Sequence, residues 1–205
     1  MKMIQKIAAL AALLAISVSA FAESYVRPEL LYGSAEFNGS GFSKDIGFGV
    51  TGGTTLGAQA EHDLSLSVSL TTFSKDYSRV YSGTTSNSET KIKVMPVLFN
   101  YRYLFLGKTS PIRPYLGASL GVANIKYTSE GTASNPIATP VSMSWSDSTS
   151  TTSFAYGATA GLVWNINDRF ALDLGYRYST AKADIYGSNP TLKISTIALG
   201  VRFRF

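Results

Sequence analysis

The sequence has no cysteine, which excludes disulfide frameworks, thiolate metal ligands and thiol nucleophiles and leaves stability to backbone pairing and packing. It has one histidine, His62, so no second imidazole is present for a general-base pair or a multi-histidine metal site. Charge is sparse at 15% of residues, and Lys and Arg are scattered without a run, so a nucleic-acid-binding surface is not indicated. Long hydrophobic runs are missing too. After residue 22 the longest is Val94–Phe99, against the ~20 residues that a membrane-spanning helix requires. Hydrophobic residues still make up 45% of the chain, too many for a disordered polymer.

The front of the chain stands apart. Lys2 and Lys6 border an apolar stretch, Ile7–Ile16, followed by Ser17-Val18-Ser19 and then Ala20-Phe21-Ala22. A charged start, a short apolar centre and an A-x-A site define a secretory leader, and ten apolar residues are too few to anchor in a bilayer. The expected organisation is a signal peptide over residues 1–22, cut between Ala22 and Glu23, and one domain over 23–205. Without Lys2 and Lys6 the formal charge of +5 falls to +3.

From residue 23 onward the ruling pattern has period 2, the spacing at which successive side chains point to opposite faces of a strand. Ile46, Phe48 and Val50 alternate with glycines and Thr51; Leu64, Leu66, Val68 and Leu70 alternate with serines and Thr71. Leu116–Val122, Phe154–Trp164, Phe170–Tyr178 and Ile197–Phe205 repeat the scheme. Two less regular segments, Tyr25–Phe37 and Lys91–Phe105, bring the total to eight, with Pro96 expected to disturb the register of the second. Short turns fall at 59–63, 106–110 and 165–169, whereas longer polar connections fall at 38–44, 77–90, 128–152 and 183–191.

The composition of the two faces decides between a sandwich and a barrel. Opposite the aliphatic residues stand mainly Gly, Ser, Ala and Thr, which solvate an exterior poorly but fill a narrow interior well. Glu29, Arg102, Asp173, Arg177, Arg202 and Arg204 are the candidate large inward residues, forming either a salt-bridged plug or a constricted pore. Aromatics gather near the short turns (Tyr101, Tyr103, Trp164, Phe170, Phe203, Phe205) and toward the long connections (Tyr77, Tyr127, Tyr178), as two bilayer interfaces would select. The predicted fold is an all-β, eight-stranded antiparallel up-and-down transmembrane β-barrel in an outer membrane, with both mature termini on the periplasmic side.

The last strand, Gly200-Val201-Arg202-Phe203-Arg204-Phe205, resembles the C-terminal assembly signal of outer-membrane barrels: Gly200, Phe203 and Phe205 match, and Ala198 replaces a usual polar residue. Trp164–Tyr178 is similar to the hairpin of the small opacity-type and OmpA/OmpX-type barrels. This resemblance implies outer-membrane lipid, lipopolysaccharide and the barrel-assembly machinery as partners, no cofactor, and a structural or adhesin-like role through extracellular loops. A narrow pore and a lipid A-modifying enzyme are the alternatives.

Catalytic motifs fail on context. Gly47–Gly52 satisfies G-x-G-x-x-G, yet no helix follows to hold a pyrophosphate, and Gly117–Gly121 satisfies G-x-S-x-G with Ser119 in mid-strand. His62 is expected in the first short turn, remote from Ser119, and Glu61-His62-Asp63 reads as a solvated connection, not a metal site. Thr128–Ser153 has 14 Ser or Thr among 26 residues, yet Val141–Ser146 keeps period 2, so this hairpin is expected to run past the membrane and carry Met143 and Trp145 with it.

Overall fold

The computed structural model describes residues 23–37, 39–81, 84–135, 141–182 and 190–205. The proposed leader and parts of all four long connections lie outside these residues. The strands are β1 (Glu23–Phe37), β2 (Ser40–Gly41), β3 (Asp45–Leu56), β4 (His62–Tyr81), β5 (Thr84–Leu104), β6 (Ile112–Asn135), β7 (Val141–Asn165), β8 (Phe170–Lys182) and β9 (Thr191–Arg204). Every pairing is antiparallel between neighbours, and β1 also pairs with β9, from Tyr25↔Arg204 to Phe37↔Leu192. β2 joins only β1, so eight strands close the ring and leave it without an edge.

The face assignment holds around the ring. Tyr25, Arg27, Glu29, Thr51, Ser65, Ser67, Ser119 and Ala155 are buried inside, whereas Leu30, Phe48, Val50, Leu120, Phe154, Leu174 and Leu199 are exposed outside. A continuous exposed belt of such residues has its natural solvent in hydrocarbon. Among the described residues no helix is long and apolar enough to cross a membrane.

Three details differ from the sequence expectations. Pro96 leaves residues 95 and 96 without ladder partners on β4, yet Val97 pairs with Val68 and Val94 with Thr71, the same register on either side. Proline removes one donor without adding a residue, so it interrupts bonding but cannot shift the pleat. Second, the polar stretches 77–90 and 128–152 are largely strand: β4 and β5 pair up to Tyr81↔Thr84, and β6 and β7 up to Asn135↔Val141. Serine- and threonine-rich segments lack an apolar period but pair through their backbones, and threonine suits a pleated sheet. Third, Tyr77 and Tyr127 share parity with the inward Phe73 and Ile125, and Tyr127 packs on the interior cluster, so of the three aromatics assigned to the upper girdle only Tyr178 faces out. Tyr32, Phe154 and Tyr156 accompany it on the exterior.

β3 stops pairing with β4 at Gly47↔Thr71 and β8 stops pairing with β7 at Ala155↔Ala181. Beyond those points β4 to β7 continue as a four-stranded extension of the ring wall. Along these strands the parity never changes but the chemistry reverses. In the belt small residues and charges point in and apolar ones out; above it Phe73, Ile92, Val94 and Ile125 are buried inside, while Lys91, Lys93 and Lys126 are exposed outside. The interior cluster there also takes in Ala35, Leu98, Ala123, Ala155, Ala181 and Leu192, and burial of a side chain such as Ile92 contributes about 1.5–3 kcal/mol.

Candidate functional site

Below that apolar cap the lumen is crossed by a layer of charge. Asp173 on β8 is its hub: one carboxylate oxygen accepts from Arg27, from Arg102 Nη1 at 2.8 Å and from Arg202 Nη2 at 3.1 Å, and the other accepts from Tyr115 Oη at 3.0 Å. Asp63 on β4 accepts from Arg102 Nη2 at 2.7 Å and Tyr25 Oη at 2.8 Å, and pairs with Arg202 Nη1 at 3.1 Å. Glu29 binds Arg27 at 3.1 Å, Arg177 at 3.2 Å and the Thr51 hydroxyl. The Arg202 guanidinium lies 4.0 Å from the centre of the Tyr25 ring and that of Arg102 lies 4.7 Å from the centre of Tyr115. Glycines make the room these side chains need. A Cβ on Gly200 would sit 2.8 Å from the Arg27 side chain, and one on Gly161 2.6 Å from Tyr115 Oη.

Of the sequence candidates, Glu29, Arg102, Asp173 and Arg202 meet in this layer and Arg177 closes its upper side. Arg204 does not reach it. Two residues beyond Arg202, it lies at the short-turn rim and donates to Asn165 Oδ1 and, at 3.5 Å, to the Asn167 carbonyl. Sequence patterning does not single out Arg27, Asp63, Tyr25 or Tyr115, which also belong to the layer. Asp63, read as part of a turn, is the second residue of β4 and fully buried. Arg27 shares the parity of Glu29 two residues on, which was the available signal. Arg113 is a further omission: it donates to the carbonyls of Leu106, Gln59 at 3.0 Å and Ala60 at 2.9 Å, tying two short turns together. Ala60 and Leu106 hold φ of 53° and 68° there, a left-handed backbone that such ties help to maintain.

The layer fills its space. The cavity among Arg27, Glu29, Asn100, Arg102, Tyr115 and Asp173 has a volume of about 10 Å³, room for one water at most. The Nε atoms of Arg27, Arg102 and Arg202 are buried without an acceptor, so a water there would find donors. The motif residues have structural places. His62 is the first residue of β4, its Nδ1 2.9 Å from Tyr101 Oη and its ring against Tyr101 and Tyr103, while Ser119 is buried on the inner face of β6. Among the described residues no group of His, Cys, Asp and Glu could hold a metal ion. At the opposite rim a groove of about 670 Å³ opens over the β4–β7 extension, where Tyr77, Ser88, Gly131 and Trp145 form one row across four strands. Trp145 lies against Gly131 and stays 42% exposed.

The family model of the outer membrane protein beta-barrel domain matches residues 8–205. The chain belongs to the outer membrane β-barrel family. Membership makes it an integral outer-membrane protein, with the exposed belt facing lipid. Solved structures of similar fold include Neisserial surface protein A, 20% identical with a TM-score of 0.58 over 91% of this chain and 100% of that one. Outer Membrane Protein W of E. coli is 13% identical with a TM-score of 0.51 over 92% and 100%, and OprG of Pseudomonas aeruginosa is 13% identical with a TM-score of 0.50 over 90% and 96%. Uncharacterized proteins of Brucella abortus and Brucella suis are 38% identical over 76 residues, which is 37% of this chain and 26% of theirs.

Proposed function

We propose that this outer-membrane barrel is a non-catalytic surface-interaction protein, with the β4–β7 extension and its groove outside the cell and both mature termini in the periplasm. The contrast between the two ends carries the reading: the charged layer across the lumen leaves a cavity of about 10 Å³, while a groove of about 670 Å³ opens on the long hairpins. A filled lumen disfavours the narrow-pore alternative. The isolation of His62 in the aromatic belt disfavours a lipid-modifying enzyme. Tyr77 and Trp145, set among Ser88, Asn87 and Thr132, offer an extracellular partner flat apolar faces beside hydrogen-bonding groups. The leader ends at Ala22, ahead of Glu23, and Gly200, Phe203 and Phe205 serve as the signal for the assembly machinery.

The test compares cells carrying the parent chain with cells carrying Trp145→Ser together with Tyr77→Ser. Adherence to host cells or matrix should fall while the amount of folded barrel, read by its heat-dependent gel shift, stays level. In planar bilayers the parent should show no steady conductance, and lipid A mass should be unchanged by expression. Steady single-channel currents would replace this reading with the pore. Adherence unaffected by the double variant would remove the groove from it.

A further inference from the structure

Lys93 on β5 and Lys126 on β6 are direct cross-strand partners, and both side chains are exposed on the outer face. Directly opposed like charges, with Cβ atoms about 4.5–5.5 Å apart, destabilise a sheet unless something neutralises them. Other lysines of the same rim have that something: Lys91 meets Glu89 at 2.8 Å and Lys193 meets Glu36 at 3.4 Å. Among the described residues Lys93 and Lys126 have no carboxylate within salt-bridge distance.

Their height is informative. Val97 and Val122 form the last fully apolar outward pair of these two strands, followed by Met95 and Asn124 and then by the lysines. Four residues at ~3.3 Å each, on strands tilted by roughly 40°, put the lysines roughly 10 Å above that pair along the membrane normal. This is where hydrocarbon gives way to headgroups. It is also where the inner face turns apolar, with Ile92 and Ile125 buried behind the two lysines.

We infer that Lys93 and Lys126 form a clasp for the phosphate of a membrane-lipid headgroup in the leaflet at the long-hairpin rim. Two ammonium groups on flexible stems converge on one phosphate from adjacent strands, their aliphatic stems lying along the belt below. The Asn124 amide, which donates to Thr152 Oγ1 at 3.2 Å, stands directly beneath on the same face and presents a further donor. Such a clasp ties one lipid to one side of the barrel, the side where the wall continues into the extension.

The experiment measures retention of bisphosphorylated lipid A by the purified barrel in non-ionic detergent, by native mass spectrometry. At about a factor of five in affinity per lysine near an anionic surface, Lys93→Gln with Lys126→Gln should weaken retention roughly 10- to 30-fold. Each single variant should show part of that loss, so the measurement survives a folding defect in the double variant. Lys93→Arg with Lys126→Arg should retain the lipid, and Lys193→Gln, whose partner is Glu36, should change it little. Dephosphorylated lipid A should bind the parent no better than the double glutamine variant binds the phosphorylated form. Equal retention by parent and glutamine variants, or of lipid with and without phosphate, overturns the clasp. Displacement by equimolar inorganic phosphate would assign the site to the free ion and overturn the lipid. The groove variants used to test adherence leave both lysines intact, so the two readings fail separately.

Discussion

Within the belt the barrel is polar inside and apolar outside; a few residues higher on the same strands it is apolar inside and polar outside. Asp63, Asp173, Arg102 and Arg202 are buried in the first region, and Phe73, Ile92 and Ile125 in the second. The register does not change at the boundary: β4 to β7 run through it with the same pairing on either side, although the β4–β5 ladder is interrupted at Met95 and Pro96. What changes is the surrounding medium. Where hydrocarbon wets the exterior, apolar side chains gain nothing by turning inward and the lumen takes the charges; where water wets it, burial of apolar surface favours the interior again.

The largest expected effect tests the polar interior. Asp173→Ala leaves Arg27, Arg102 and Arg202 facing one another without their shared acceptor, and should destabilise the barrel by about 3–5 kcal/mol in urea-induced unfolding from detergent micelles. A loss under ~1 kcal/mol would mean that water already screens the layer. Ile92→Ala, in the apolar cap, should cost about 2–5 kcal/mol by transfer and cavity formation, and its cost should not vary with salt. Were the loss to vanish, the cap would be loose and the reversal only a matter of sequence pattern.

A smaller pair of changes reads the boundary from outside. Leu66→Arg or Leu174→Arg puts a cation on the hydrocarbon face and should cost about 2–4 kcal/mol, whereas Ser148→Arg, outward on the extension, should stay within about 0.5 kcal/mol. Equal reduction of folded barrel by both kinds would break the comparison. Smallest in equilibrium terms is deletion of Phe205, an exposed rim residue. It should lower the level reaching the membrane in cells while refolding in detergent stays near that of the parent; an unchanged cellular level would remove the assembly-signal role.

The alternation of Leu64–Leu70 with serines, and of Leu116–Val122 with glycine, serine and alanine, made the strands and their outward faces legible from sequence. Glu29, Arg102, Asp173 and Arg202 were legible because large charged residues stood on the face of small ones. Asp63 was not, because a polar residue at the second position of a strand looks the same as one in the turn before it. The cap was hidden for another reason. Leu98 sits between Val97 and Phe99, apolar on both faces, and Ile92 sits between two lysines in a pattern that belongs to a water-exposed sheet. A reading that assumes one solvent for a whole strand has no means to see where the solvent changes. Arg204 erred in the opposite direction: parity gave its face but not its height, and at the rim an inward side chain meets a turn instead of the lumen.

The unequal lengths of the strands set how the molecule loosens. Residues of the ring are hydrogen-bonded to neighbours on both sides, whereas the upper parts of β4 and β7 have no strand beside them on one flank among the described residues. Amide exchange should therefore grade along single strands, fast near Tyr81 and Val141 and slowest near Leu66 and Leu162, because opening at the top breaks few bonds and opening in the ring must break two ladders at once. On this expectation a partner gripping the extension would open ladders in the upper wall first and leave the doubly paired ring below undisturbed.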